Sequence, residues 1–381
     1  MTFRKPDTVR VGRRGFLAGS LAFAVGSMGA SAARGANGQK PVVRSERLVI
    51  NGLDTSDIND EFLGLLREGG VHCSHVSLGD AYSYGSVLRF VDERPDKATI
   101  AKTAAQILAA KQAGKVAFVF GSQAASEYLP PLLNQGPRQT YDTIRTALRV
   151  HYELGMRTQG ISYNIANVFG GGCLEPKSPL TKAGQQLVEA IHKQGILLDV
   201  GGHTGEQTSF DALAISSGVP VVCTHTNVAA LNPNPRASSD RLLEAIAKTG
   251  GVIGVTAISD FHTRSAASVA KHEPRSPQAT LAAHLDQYDY LKRLIGVDHI
   301  GLGTDFIWGW GNSYVHSSAD NMVFPSEAMS DGPSQVVRDF ENISKLGNLE
   351  RGLSQRGWSQ AELDKVMGAN WLRVYGRVWG A

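Results

Sequence analysis

His203 stands in Gly-Gly-His-Thr and His225 in Thr-His-Thr, each just after a short β-branched run. Asp305 follows a third such run, in Gly-Thr-Asp-Phe. Neutral imidazoles bind zinc-like ions, and a carboxylate beside a metal-bound water can take a proton and return it. Two histidines and an aspartate leaving the same end of neighbouring strands make a metal-site pattern. Each residue also has a plainer reading. A lone histidine at a strand end is more often packed than ligating, and an aspartate in Gly-Thr-Asp commonly caps a turn. His192 and His151 fall on helical patterns and are expected at the surface. His299, beside Asp298, falls at the opposite end of its strand from any chemistry.

Elements must exist to bring these residues together. Short β-rich runs at 48–50, 71–76, 116–120, 158–162, 196–200, 220–224, 252–256 and 299–303 read as strands. Between them lie amphipathic stretches near 57–68, 98–113, 140–154, 181–194, 207–216, 238–249, 279–295 and 334–355, with apolar residues three and four apart. Thr181 and Asp57 fit helix starts; Gly114, Gly195 and Gly250 fit helix ends. Eight strands each followed by a helix predict an α/β fold, a single (β/α)8 TIM-type barrel, with a doubly wound open sheet as the alternative. In such a barrel catalytic groups sit at the C-terminal ends of the strands. Gln123 follows the strand at 116–120, and Leu53-Asp54-Thr55 follows the first. In "VHCSHVS", alternation puts Cys73 and His75 on one face and His72 on the other.

The chain opens with a leader rather than with the fold. Arg13-Arg14, then Phe16-Leu17, a moderately apolar run and Ala30-Ser31-Ala32 have the pattern of a cleaved twin-arginine export signal over 1–32. A linker over 33–46 and one domain over 47–381 follow. This predicts a periplasmic protein that meets the twin-arginine translocon during export and has no permanent membrane span. The formal charge of +3 includes the basic leader. No basic face with interleaved aromatics suggests nucleic acid. Cys73, Cys173 and Cys223 form no C-x-x-C pair and are expected as buried thiols.

From about residue 155 onward the chain resembles the renal (membrane) dipeptidase family, the M19 peptidases. The resemblance lies in four ordered blocks. They are "GISYNIANVFGGGCLEPKSPLTKAGQQLVEAIHKQGILLDVGGHT", "VPVVCTHTNVAALNPNPRASSDRLLEAIAKTGGVIGV", "IGVDHIGLGTDF" and "LSQRGWSQAELDKVMGANWLRVYGRV". It implies a metallo-dependent hydrolase-like barrel acting on dipeptides or small modified peptides, and it allows a homodimer. It implies that His203 and His225 bind one zinc of a pair, and that Asp305 is poised over a hydroxide. By the same resemblance Arg236 holds the substrate carboxylate, a task suited to a bidentate guanidinium. Tyr163 stands where some members carry a histidine that polarises the scissile carbonyl.

The departures are concentrated elsewhere. The family has His-x-Asp after the first strand where this chain has Leu53-Asp54-Thr55, and a bridging glutamate where this chain has Gln123. A neutral amide compensates two cations poorly. The resemblance therefore implies one zinc ion rather than two, or none, with Gln123, His75 or Asp54 as replacement ligands. Metal-dependent hydrolysis is the leading expectation. A catalytically inactive relative that binds or helps mature a small peptide is the alternative. Trp308, Trp310 and Tyr314 in the long segment after Asp305 suggest a lid or a substrate wall.

Overall fold

Strands buried on both faces are what a parallel sheet wrapped in helices requires, and the apolar runs of this chain satisfy that condition. The computed structural model describes residues 47–127, 129, 136–263, 277–309 and 336–380. The leader, the linker, Trp310 and Tyr314 lie outside the described residues. The strands are β1 (Ile50–Asp54), β2 (Cys73–Ser77), β3 (Ala98–Ile100), β4 (Val116–Ser122), β5 (Met156–Gly160), β6 (Leu197–Asp199), β7 (Val221–Thr226), β8 (Ile253–Val255) and β9 (Ile300–Leu302). All pairings between them are parallel. β1 lies beside β2, β2 beside β4, and the order then runs through β9, which returns to β1 at Asn51 and Leu302. Eight strands thus close the expected barrel.

The ninth strand was not expected. Residues 98–113 read as one helix, but the structure splits them into β3 and a shorter helix, α3 (Ala104–Gln112). β3 pairs with β4 at residues 116–118, while β5 pairs with β4 at residues 120–122. The two share one edge of β4, so β3 fills the lower half of a seam without entering the barrel order. Three residues are too few for alternation to show, which is why the sequence read as helix.

The helices around the barrel are α1 (Asp60–Glu68), α2 (Ala81–Asp92), α3, α4 (Pro137–Leu154), α5 (Lys182–Gln194), α6 (Glu206–Ile215), α7 (Asp240–Lys248) and α8 (Asp260–Thr263). They continue with α9 (Leu281–Ile295), α10 (Leu346–Gln355), α11 (Gln360–Asp364) and α12 (Asn370–Trp379). Thr181 caps α5 as expected, accepting from the Gly184 amide, but Asn59 rather than Asp57 caps α1. The stretch expected as helix over 334–355 is helical only from Ile343, where a 3-10 turn (Ile343–Lys345) leads into α10. Val336 and Arg338 before it form isolated bridges. α2 was not expected from the sequence; it buries Tyr84, Val87, Phe90 and Val91 at helical spacing. His151 corrects an expectation: it is buried on the inner face of α4, edge-on to Tyr84 at 5.4 Å, with Nδ1 donating to the Ala147 carbonyl. His192 is partly buried and bonds Ser216.

The barrel is closed from below. Trp371, Tyr375 and Trp379 on α12 stack in succession, with centroids 5.7 and 3.8 Å apart, and pack with Ile50, Cys73, Ala117, Val119, Leu197, Val222 and Val252. The Trp371 indole N–H donates to the Leu302 carbonyl at 2.8 Å. Truncating such a plug costs on the order of 3–5 kcal/mol. All three cysteines are free and buried. With its lower end plugged, the barrel offers chemistry only at its C-terminal rim.

Candidate active site

β6 and β7 deliver the two histidines side by side. The His203 and His225 ring centroids lie 4.9 Å apart at 60°. Each ring is tied through Nδ1. His203 Nδ1 meets Asn164 Oδ1 at 2.6 Å, and the Tyr163 ring stacks on it at 3.9 Å and 22°. His225 Nδ1 meets the Thr224 hydroxyl at 2.8 Å, and that hydroxyl donates to Asp199 Oδ2 at 2.6 Å. An oxygen acceptor at Nδ1 fixes the proton there, so Nε2 is the bare nitrogen of both rings. Outer partners that orient a ring in this way are characteristic of metal-ligating histidines. The His225 Nε2 is buried and has no hydrogen-bond partner.

Asp305 comes to the same place from β9. Its φ is 56°, in the left-handed region, and its amide donates to the Leu53 carbonyl at 3.1 Å. Its Oδ2 stands 4.0 Å from His225 Nε2. Burial first, and then the Arg236 cation, hold His203 and His225 well below the usual histidine range, so this pair is not an ion pair. The gap suits a small bridging group. Asn164 is also left-handed, at φ 61°. Non-glycine residues held in this region concentrate at functional sites.

Arg236 completes this side. It is 3% exposed, lies 5.1 Å over the Phe261 ring, and its Nε and Nη1 have no hydrogen-bond partner. Gly202, at φ 55°, makes room for it: a Cβ there would stand 2.8 Å from Nη1. An unsatisfied buried guanidinium is costly unless an anion reaches it. Burial pushes the Asp199 carboxyl up to about 7 against the pull of its Thr224 hydrogen bonds and of Arg236.

The opposite side of the rim is built differently. Both oxygens of Asp54 are engaged, Oδ1 by the Ser56 amide at 2.9 Å and Oδ2 by Asn51 Nδ2 at 3.0 Å. Burial pushes its carboxyl up to about 7. It is a shared acceptor rather than a bare ligand. The Gln123 Oε1 is buried without a hydrogen-bond partner. His75 faces the barrel interior, as alternation predicts. Its Nδ1 meets the Gly52 carbonyl at 2.5 Å, and its Nε2 is buried and unpartnered. Burial lowers its pKa to about 4.

Among the described residues, no three His, Cys, Asp or Glu side chains converge as a ready-made metal cluster. The donor chemistry nevertheless fits one ion on the His203–His225 side, where two tied imidazoles present bare nitrogens. It does not fit the first ion of a pair, because Leu53 is apolar, Asp54 is committed and Gln123 is neutral. The anchors Asn164, Asp199 and Thr224 were missed from sequence. They act through another residue, and the only signal was their place beside the histidines and Tyr163.

A closed parallel barrel with paired histidines at adjacent strand ends defines a metallo-dependent hydrolase-like protein. The model of the membrane dipeptidase family, peptidase family M19, matches residues 83–315, and the chain belongs to that family. A Klebsiella pneumoniae protein from the pqqA 5′ region is 32% identical over 239 residues, covering 61% of this chain and 76% of the relative. Dipeptidase ataJ of Aspergillus terreus is 26% identical over 314 residues, covering 76% of this chain but 64% of the relative. Among solved structures, an amidohydrolase from Pseudomonas aeruginosa superposes with TM-score 0.74 at 26% identity. That match covers 89% of this chain and 98% of the other.

Proposed function

We propose that this chain is an exported hydrolase that cleaves the amide bond of a dipeptide or small modified peptide, using one zinc-type ion on the His203–His225 side of the rim. The observation that carries the reading is the pairing of two tied, bare-nitrogen imidazoles with a buried guanidinium that lacks a partner. A zinc-type ion held there supplies a water of lowered pKa and polarises a carbonyl. Arg236 receives the substrate carboxylate through two parallel hydrogen bonds, which places the amide over the histidines. Asp305 accepts the proton of the attacking water and delivers it to the leaving amine. Tyr163 holds the His203 ring by stacking and lines the approach of the scissile carbonyl. The burial of His203, His225, Arg236 and Asp305 excludes bulk water and strengthens each electrostatic contact.

A second reading is favoured by the absence of a ready-made cluster among the described residues. In it the rim binds a small peptide through Arg236 without hydrolysing it. Fold alone does not decide between them. Elemental mass spectrometry of mature protein purified without a metal-affinity tag separates the two. One equivalent of zinc, lost together with dipeptide hydrolysis in His203→Ala and His225→Ala, supports the hydrolase. No metal after zinc reconstitution, with retained peptide binding, establishes the binder. Among the described residues no helix is long and apolar enough to cross a membrane. Export by the twin-arginine route predicts a mature chain in the periplasmic fraction, trapped in the cytoplasm when Arg13-Arg14 are changed to lysine. A homodimer is checked by light scattering.

A further inference from the structure

A buried guanidinium that is to receive an anion must be held by something that leaves its N–H groups free. The Nε and Nη1 of Arg236 have no hydrogen-bond partner. The carboxyl of Asp199, which feels the charge of Arg236, is committed to Thr224, Oδ1 to the amide at 2.8 Å and Oδ2 to the hydroxyl at 2.6 Å. What meets the guanidinium is Phe261 of α8, whose ring centroid lies 5.1 Å from the guanidinium carbon. Both side chains are buried. An aromatic face attracts a cation through its quadrupole and takes no hydrogen-bond donor from it.

The same residue also fixes the backbone of the arginine. Arg236 ends the run Asn232-Pro233-Asn234-Pro235-Arg236. Asn232 Nδ2 and Asn234 Nδ2 both donate to the Phe261 carbonyl, at 3.0 and 3.2 Å. Asn234 Oδ1 accepts from the Arg236 amide at 3.0 Å. The intervening prolines restrict the chain between these contacts. Phe261 thus reaches Arg236 twice, through its ring on the cation and through its carbonyl and Asn234 on the backbone. α8 is itself pinned to the end of β8, where His262 Nε2 meets the Thr256 carbonyl at 3.0 Å.

We infer that Phe261 is the positioning residue of the carboxylate-binding arginine. Its ring holds the guanidinium in place without consuming an N–H, and the Asn-Pro-Asn-Pro-Arg segment is seated on its carbonyl. This rests on the reading above in which Arg236 receives the substrate carboxylate. An acidic anchor would compete with that carboxylate for the same donors; an aromatic one does not.

The test is calorimetric binding to the mature protein of an alanine dipeptide with a reduced CH2–NH link, which cannot be hydrolysed, and of its C-terminal amide. The chains compared are wild type, Phe261→Met, Phe261→Tyr, Asn234→Ala and Arg236→Ala, with thermal melts on each. The expected result is that Phe261→Met weakens binding of the free acid by about 10-fold and leaves the amide nearly unchanged, while Phe261→Tyr, which keeps the ring, binds as wild type. If Phe261→Met does not fold, Asn234→Ala carries the test with the same expectation, since it keeps the ring and unties the backbone. Equal weakening of acid and amide would show a merely structural role and overturn the inference. If Phe261→Met and Asn234→Ala prefer the acid as wild type does while Arg236→Ala loses that preference, the inference falls and the reading of Arg236 stands. If wild type does not prefer the acid over the amide, the reading of Arg236 falls and the role of Phe261 with it.

Discussion

The two sides of the barrel rim solve opposite problems with similar residues. On the β6–β7–β9 side, polar groups are arranged so that one atom of each stays uncommitted. Asn164 and Thr224 occupy the Nδ1 atoms of His203 and His225 and leave Nε2 bare, and Arg236 keeps Nε and Nη1 without partners. On the β1 side, Asp54 spends both oxygens on Ser56 and Asn51, and Asn51 is itself tied to Thr304. Burial of a polar group is tolerated when its hydrogen bonds are made; where they are not, something else must arrive. The difference separates atoms that await a ligand from atoms that only support the fold.

The sharpest way to break this comparison is to remove a bare nitrogen. His203→Ala or His225→Ala is expected to lower kcat/KM for dipeptide hydrolysis by about 1000-fold or more, since the ion and its water go together. Retained turnover in either variant would place the chemistry elsewhere. Arg236→Ala comes next, with kcat/KM down on the order of 100-fold. If the arginine binds ground state and transition state alike, the loss falls mainly on KM. A substrate whose carboxylate is amidated should show little difference between the two chains. Thr224→Val leaves both histidines but breaks the link from Asp199 to His225. Loss of such an outer partner costs about 10- to 100-fold in metal affinity, read by competition with a chelator.

These predictions also mark what was legible. The strand-end positions of His203, His225 and Asp305 could be read from sequence because local pattern and position in the barrel coincide there, whereas Arg236, in the segment between β7 and α7, was singled out only by the family resemblance. Most of the eight barrel strands were legible because apolar runs are what a doubly covered strand needs; β2 (CSHVS) and β5 (MRTQG) carry little of such a run and gave the weakest signal. His151 was not, because its burial depends on Tyr84 from another helix, and helical periodicity alone put it outside. Asp54 was legible as a carboxylate but not as a committed one. Its partners Asn51 and Thr304 are brought together only when β1 and β9 close the barrel.

A smaller effect sharpens the β2–β4 contact. Gly121→Ala puts a methyl group where His75 Nε2 lies. The ring must swing away and lose its bond to Gly52, at a cost of about 1–3 kcal/mol in stability. Chemical denaturation measures it. An unchanged midpoint would mean that His75 moves without resistance.

The finest contrast concerns Asp54. Burial raises its carboxyl from 3.8 to about 7, and Asp199 behaves alike. A folded-state pKa above the unfolded value means that the native chain holds more protons between roughly pH 4 and pH 7. Stability from this source is complete at low pH and is lost as pH rises through about 7. The buried histidines act with the opposite sign: His75 and His262 are lowered from 6.5 to about 4, so their contribution is lost as pH falls through that window. The wild-type profile therefore mixes both signs, and only a difference between chains isolates Asp54. In metal-free Asp54→Asn the amide cannot ionise, though its NH2 faces the NH2 of Asn51, or its oxygen must forgo Ser56. The variant should be less stable than wild type at pH 5, and that deficit should shrink by about 1–3 kcal/mol by pH 8. Urea midpoints at the two pH values give the answer. A deficit that is constant with pH would show that Asp54 is ionised throughout, and the β1 side of the rim would then carry a negative charge able to hold a cation after all.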